Sequence, residues 1–473
     1  MLLAGIHTWS GSADFGGFPP KACGNDGVGR RHHDFIFSRR IMLAIHGGEP
    51  VRGAAAWPRW PQYDERTEAE LLAALRSSRW SVSWYAPEGG KSRERLFGEA
   101  FARYNGAAYG VSVDHGSSAL VIALEALGVG PGDEVIVPAL TWVAPATAVL
   151  RVGALPVLVD VDPDTGCVTA DQVRAALSGR TRAVIAVHLA CTVARVDELV
   201  AVTSAAGIAL IEDCSQSHGA RWSGRAVGTF GDIGVFSLGA AKSLAAGEAG
   251  AAITDSLELY RRMLMLRADS RGYSEGPPGA GEYELVELGE IMGGNYCMSE
   301  LTAGILLDQL PRLNDQHARR AVRATELEDG LARIPGLSSI PVPAQVDRRA
   351  VYEYGIRFEP GTFGTAPVEH VAAALTAELG TKVYPPRAPL PRSNLLRPQS
   401  KPRFARFWDD DRAFGRTFPG AEHYREHTLL LHHSVLLGER ADIDDILTAL
   451  AKVHALSDAF DGADSAVRKG ISA

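Results

Sequence analysis

The chain reads as an α/β protein, with a large domain built on a mainly parallel sheet covered by helices and a smaller α+β C-terminal domain. Two observations carry this. From about Trp80 to Leu310, short apolar runs alternate with helical patterns, the sequence form of successive βαβ units. After a helical run from Ser299 to Arg333 that alternation stops, and isolated strand and helix signals take over. The expected organisation is a disordered or appended extension over 1–41, an N-terminal segment and large domain over 42–310, and a small C-terminal domain over 311–473.

Residues before Met42 are rich in Gly, Arg and His without apolar periodicity, whereas Met42 to Gly48 reads as the start of the folded sequence. Ser38-Arg39-Arg40 carries the twin arginine of an export signal, but no adequate apolar region or small-residue cleavage site follows. The stretch is read as the product of an upstream start codon or an added tail, loosely attached to the rest.

Gly110 to Gly128 gives a strand, a small-residue turn and a helix, with Gly116, Ser117 and Ser118 at the helix N-terminus. Free backbone N–H groups, short hydroxyls and the positive end of the helix dipole suit a phosphate there. The same pattern also serves as an ordinary cap. Val135-Ile136-Val137-Pro138 is a strand followed by Trp142, whose ring can stack on a flat ligand or fill the core. Ala183 to His188 is another strand, and Gly207 to Asp213 is a third that ends in acids. Asp213, at a carboxyl strand end, can face a ligand or cap the next turn.

Ser270 to Gly289, with Gly272, Gly276, Pro277, Pro278, Gly279 and Gly281, reads as a mobile loop. Val351 to Phe358 is a strand and Val368 to Leu379 a helix. Ile443, Ile446, Leu447, Leu450 and Val453 form one face of a terminal helix.

Lys242 is the only lysine between Lys91 and Lys382, and its neighbours are small and apolar on both sides. Such a setting disfavours an ammonium and frees a nucleophilic amine. The chemistry it suits is a Schiff base with the carbonyl of a substrate or of pyridoxal phosphate. A lysine snorkelling from a strand end is the plain alternative. Asp213 upstream can keep the pyridine nitrogen of that cofactor protonated, which makes its ring an electron sink.

Phosphate turn, aromatic residue, strand-end aspartate and serine-flanked lysine occur in that order. From Met42 to about Leu456 the chain resembles the fold-type I, pyridoxal-phosphate-dependent sugar aminotransferases of the DegT/DnrJ/EryC1/StrS family. Arg79-Trp80, Leu140-Thr141-Trp142, Leu266 to Arg271, Asn295 to Glu300, Leu306 to Leu310 and Leu431 to Leu437 resemble in particular the L-glutamine:2-deoxy-scyllo-inosose aminotransferases.

The resemblance implies that Lys242 is the Schiff-base lysine, Asp213 the pyridinium partner, Trp142 the stacking residue and Gln216 a neighbour of the ring hydroxyl. It implies a phosphate cradle of Gly116, Ser117, Ser118 and Ser237. Asn295 matches an asparagine that reaches the phosphate of the other subunit, which implies a homodimer with shared sites. The expected activity is amino transfer from L-glutamine or L-glutamate to a keto-cyclitol or keto-sugar in antibiotic biosynthesis. Two alternatives stand beside it: a dehydrating enzyme of the aminohydroxybenzoate-synthase kind, and a catalytically reduced partner subunit. The chain departs from the family at Gly239-Ala240-Ala241, at Ala249 where glycine is usual, and at Asp114-His115 ahead of the phosphate turn.

A net charge of −8 with scattered arginines argues against nucleic-acid binding. Cys23, Cys167, Cys191, Cys214 and Cys297 lack paired spacing, as in a reduced cytoplasmic protein. No apolar stretch is long enough for a membrane span. His423 and His427 have the spacing of a metal pair, with His432-His433 close by, but no carboxylate or cysteine motif completes a metal site. His188 and His218, near strand ends, are candidates for ligand contact or for structural roles.

Overall fold

Seven strands rich in Val, Ile and Ala form the central sheet of the computed structural model, which describes residues 42–405 and 416–457. They are β1 (Tyr109–Val113), β2 (Glu134–Pro138), β3 (Leu155–Val159), β4 (Thr181–Val187), β5 (Ala209–Asp213), β6 (Ile233–Ser237) and β7 (Gly250–Thr254). Their order is β1-β7-β6-β5-β4-β2-β3. Strands β2 to β6 pair in parallel, while β7 runs antiparallel to both β6 and β1. Every residue of β2 and β3 is buried, because helices cover both faces of a parallel sheet. The extension expected over 1–41 lies outside the described residues.

Helices α1 (Glu65–Arg76), α2 (Arg93–Asn105), α3 (Gly116–Ala126), α4 (Leu257–Arg267) and α5 (Glu300–Leu331) belong to this layer or border it. Ser92 caps α2 through its hydroxyl, which accepts from the Arg95 N–H, and Gly106 ends it at φ 74°. α5 is 32 residues long and contains Pro311 without breaking. A domain boundary at residue 310 therefore falls inside one continuous helix.

A second, antiparallel sheet follows, in the order β8 (Leu337–Ser339), β9 (Glu353–Phe358), β11 (Thr428–His432), β10 (Val383–Tyr384). Helices α6 (Val368–Leu379) and α7 (Arg440–Ala455) pack with it. Ile443, Ile446, Leu450 and Val453 of α7 are buried as the periodicity predicts. Gly330 lets α5 approach α7, since a Cβ there would stand 2.1 Å from Leu447 Cδ1.

The mobile loop expected over Ser270 to Gly289 is instead pinned at both ends. Arg271–Tyr273 and Leu285–Glu287 form an antiparallel pair. Side chains explain why so glycine-rich a stretch is held. Glu284 accepts from Arg79 at 2.6 Å and Arg95 at 3.3 Å, and from the Ser92 backbone at 3.0 Å. The Arg95 and Arg267 guanidinium carbons lie 4.7 and 5.1 Å from the Tyr273 ring centre. Turn composition alone carries no record of these long-range anchors.

Arg267 and Glu94 meet at 2.5 Å with both side chains fully buried, tying α4 to α2. Burial pushes the Glu94 carboxyl up, and Glu94 in turn holds the Arg267 guanidinium firmly protonated against its own desolvation. Arg267→Met should leave Glu94 buried without its partner and destabilise the fold by about 3–5 kcal/mol. The check is the urea midpoint at unchanged m-value, with Arg267→Met/Glu94→Leu recovering most of the loss.

Candidate active site

The carboxyl ends of β5 and β6 and the N-terminus of α3 face the same side of the sheet, where residues of the second sheet and its neighbouring segments join them. Between them lies a cavity of about 890 Å³. Gly116, Ser117, Trp142, Asp213, Gln216, Ser237 and Lys242 all stand in its wall. Ser118 does not: it is buried, and its N–H turns back to the His115 carbonyl. Asn295 is also absent from this wall, its side-chain oxygen accepting from the Cys297 N–H at 3.4 Å.

α3 begins at His115 without a side-chain cap. Among the described residues the Gly116 and Ser117 N–H groups find no acceptor, so the positive helix end opens into the cavity. Gly116 is required here by space. A Cβ at that position would stand 2.7 Å from the Ser237 Cβ. His115 lies between two acids, 3.4 Å from Asp114 and 3.5 Å from Glu248.

Asp213 accepts from the Ser215 N–H at 3.0 Å. Gln216 Oε1 accepts from the Ala190 N–H at 2.7 Å. Ala190 sits at φ 55°, and its carbonyl accepts from the Tyr352 and Glu353 N–H groups at 3.0 and 3.4 Å. That one strained peptide couples the end of β5 to the start of β9.

Lys242 Nζ lies 4.1 Å from the centre of the Tyr352 ring. Burial pushes its pKa below the ordinary lysine value, with Asp213 and Glu353 opposing the shift and Arg387 adding to it. Its loop is fastened from three directions. Trp60 Nε1 donates to the Lys242 carbonyl at 3.1 Å. His432 and His433 Nε2 both reach the Ala241 carbonyl, at 3.0 and 3.3 Å. His218 donates to the Ser237 carbonyl at 2.7 Å and accepts from the Ser243 hydroxyl at 3.2 Å. Burial lowers the His218 pKa to about 3, so it acts as a neutral strut behind the cavity.

His188 is structural as well, 3.2 Å from Glu212. His188, Glu212 and Cys214 come within 4.8 Å of one another. Glu212 is already committed to the N–H groups of Gly228, Phe230 and Gly231, and burial keeps the Cys214 thiol protonated. The cluster thus binds a loop to β5 and offers no vacant carboxylate. The rings of His423 and His427 stack at 4.4 Å.

Tyr352, Glu353, Tyr384 and Arg387 also line the wall, and the sequence alone assigned a site role to none of them; His432, of the histidine group weighed for a metal, a surface or a substrate contact, lines it too. Tyr352, Glu353 and His432 lie in segments already singled out, but nothing in their spacing says that the second sheet folds over the first.

Residues 62–451 match the DegT/DnrJ/EryC1/StrS aminotransferase family. The chain is 44% identical over 417 residues to an L-glutamine:2-deoxy-scyllo-inosose aminotransferase of Streptomyces fradiae, covering 87% of this chain and 97% of that one. It is 45% identical over 417 residues to an L-glutamine:scyllo-inosose aminotransferase of Streptomyces griseus, with the same coverage. Its fold is similar to the crystal structure of 3-amino-5-hydroxybenzoic acid synthase, with TM-score 0.73 and 29% identity over 85% of this chain and 100% of that one. An alternating α/β chain whose desolvated Lys242 shares a cavity with a strand-end aspartate and an open helix N-terminus thus belongs to the DegT/DnrJ/EryC1/StrS aminotransferase family and is an aminotransferase.

Proposed function

We propose that the protein transfers an amino group from L-glutamine to a keto-cyclitol such as 2-deoxy-scyllo-inosose or a related inosose, with pyridoxal 5′-phosphate as cofactor. The observation that carries the reading is the placement of Lys242 and Asp213 in one cavity. The residues present fit the cofactor. The open N-terminus of α3 and Ser237 suit its phosphate, Asp213 its ring nitrogen, Trp142 its face and Gln216 its ring hydroxyl. When bound, the cofactor supplies an electron sink for the carbon that carries the amine.

The chain's own groups supply the rest. Asp213 holds a proton on the ring nitrogen. Lys242, kept toward its neutral form by burial, is the base for the donor's α-proton and returns a proton to the carbon that receives the amine. The small-domain wall limits water. The names of the Streptomyces relatives support the donor and the cyclitol ketone. Unpaired Cys167, Cys191, Cys214 and Cys297 fit a cytoplasmic setting, and no helix among the described residues is long and apolar enough to cross a membrane.

Borohydride reduction of the protein in the presence of pyridoxal phosphate, followed by peptide mapping, should label Lys242. Label on Lys91 or Lys382 instead would overturn the assignment. Asp213→Asn should fold normally and lose transamination by at least about tenfold, since a charge-assisted hydrogen bond contributes roughly 1.5–3 kcal/mol and more where charge develops. Near-normal turnover would point to a different acid.

Asn295 lies outside its own chain's cavity, which supports a homodimer in which it completes the neighbouring site. Co-expressing Lys242→Ala with Asn295→Ala should then restore one intact site per mixed dimer and raise activity above either variant alone. Well-formed mixed dimers without complementation would leave Asn295 as a loop-stabilising residue of its own chain.

A further inference from the structure

Three acids stand in the cavity wall, and two of them are engaged. Asp213 is assigned to the cofactor nitrogen, and Glu248 lies 3.5 Å from His115. Glu353 remains. Its Oε1 accepts from the Tyr384 hydroxyl at 2.8 Å, and among the described residues no donor reaches Oε2. Its backbone is held on both sides, by the Ala190 carbonyl and by the pairing of Glu353 with His432 across β9 and β11. The carboxylate is thus a fixed acceptor, not a mobile surface arm.

The same wall carries two cations that form no salt bridge among the described residues. The Arg387 guanidinium carbon lies 4.2 Å from the Trp142 ring centre, and Lys382 Nζ lies 5.6 Å from that of Tyr384. An amino-acid donor brings one carboxylate that suits these cations. Its far end is either an amide, with two N–H donors, or a second carboxylate with none. We infer that Glu353 reads this far end, accepting from the side-chain amide of glutamine and repelling the side-chain carboxylate of glutamate.

The inference rests on the aminotransferase reading above. Burial raises the Glu353 pKa, and the Tyr384 hydroxyl, Lys242 and Arg387 oppose that rise. The Tyr384 hydroxyl, donating to Oε1 at 2.8 Å, holds Glu353 as an acceptor. Glutamate at this position would place like charges together and leave Oε2 unpaired, and both effects discriminate against it. Glu353→Gln keeps the shape, removes the charge and offers an amide that can pair with either donor.

The test is kcat/KM of the wild-type holoenzyme and of E353Q for glutamine, glutamate and glutamate γ-methyl ester at saturating ketone. The wild type should favour glutamine over glutamate by about tenfold or more. In E353Q that ratio should fall by about tenfold, mainly through faster use of glutamate. The uncharged ester should outperform glutamate on the wild type, a comparison that stands even if E353Q does not fold. Turnover with no donor at all would overturn the aminotransferase reading and this inference together. A wild type that discriminates while E353Q keeps the ratio within about twofold, or an ester as poor as glutamate, would overturn the role of Glu353 and leave the aminotransferase reading intact.

Discussion

Keeping the Lys242 amine out of water, yet within reach of acids, is the constraint on which the rest of the site depends. A lysine in apolar surroundings gains nucleophilicity by losing solvation, and only a rigid scaffold can hold it there. Its loop has that scaffold. Trp60 from the N-terminal segment, His218 from the turn after β5 and His432-His433 from the end of β11 all bond the loop or its flanks. Three distant parts of the chain must fold before the lysine acquires its environment, so its chemistry is a property of the assembled protein.

The departures before the lysine take on meaning in this setting. Ala240 and Ala241 line the cavity and supply no side-chain donor, whereas Tyr352, Glu353, Tyr384 and Arg387 bring polar groups to it. Gly239 is not needed for space, since the nearest atom to a Cβ there would be 3.7 Å away. The structure gives no account of why glycine stands at that position. Asp114, a repulsive neighbour for a phosphate on charge alone, lies against His115, which also faces Glu248.

Buried charge organises the layer that supports the site. Arg267 with Glu94, and Glu284 with Arg79 and Arg95, join α2, α4 and the hairpin after α4. Desolvated pairs of this kind are weak sources of net stability and costly to break singly. Their effect is to set one arrangement of helices against another. Asn295 follows directly on this network, and Ala268, next to Arg267, pairs with it.

Much of the fold was legible because periodicity is local. The apolar runs of β1, β2, β4 and β5, the helix over Val368 to Leu379 and the buried face of α7 follow from residue spacing alone, since each depends on which side of an element faces oil or water. Lys242 and Asp213 were legible for a related reason: an unusual residue type in an unusual local setting declares a cost that something must offset. Only the tertiary structure decided the hairpin over Ser270 to Gly289, the exclusion of Ser118 and Asn295 from their own cavity, and the entry of Glu353, Tyr384 and Arg387 into the wall. The hairpin and the placing of Glu353 turn on contacts between segments far apart in the chain, through Glu284 and its arginines and through the left-handed Ala190 peptide. Spacing along a sequence carries no measure of such distances.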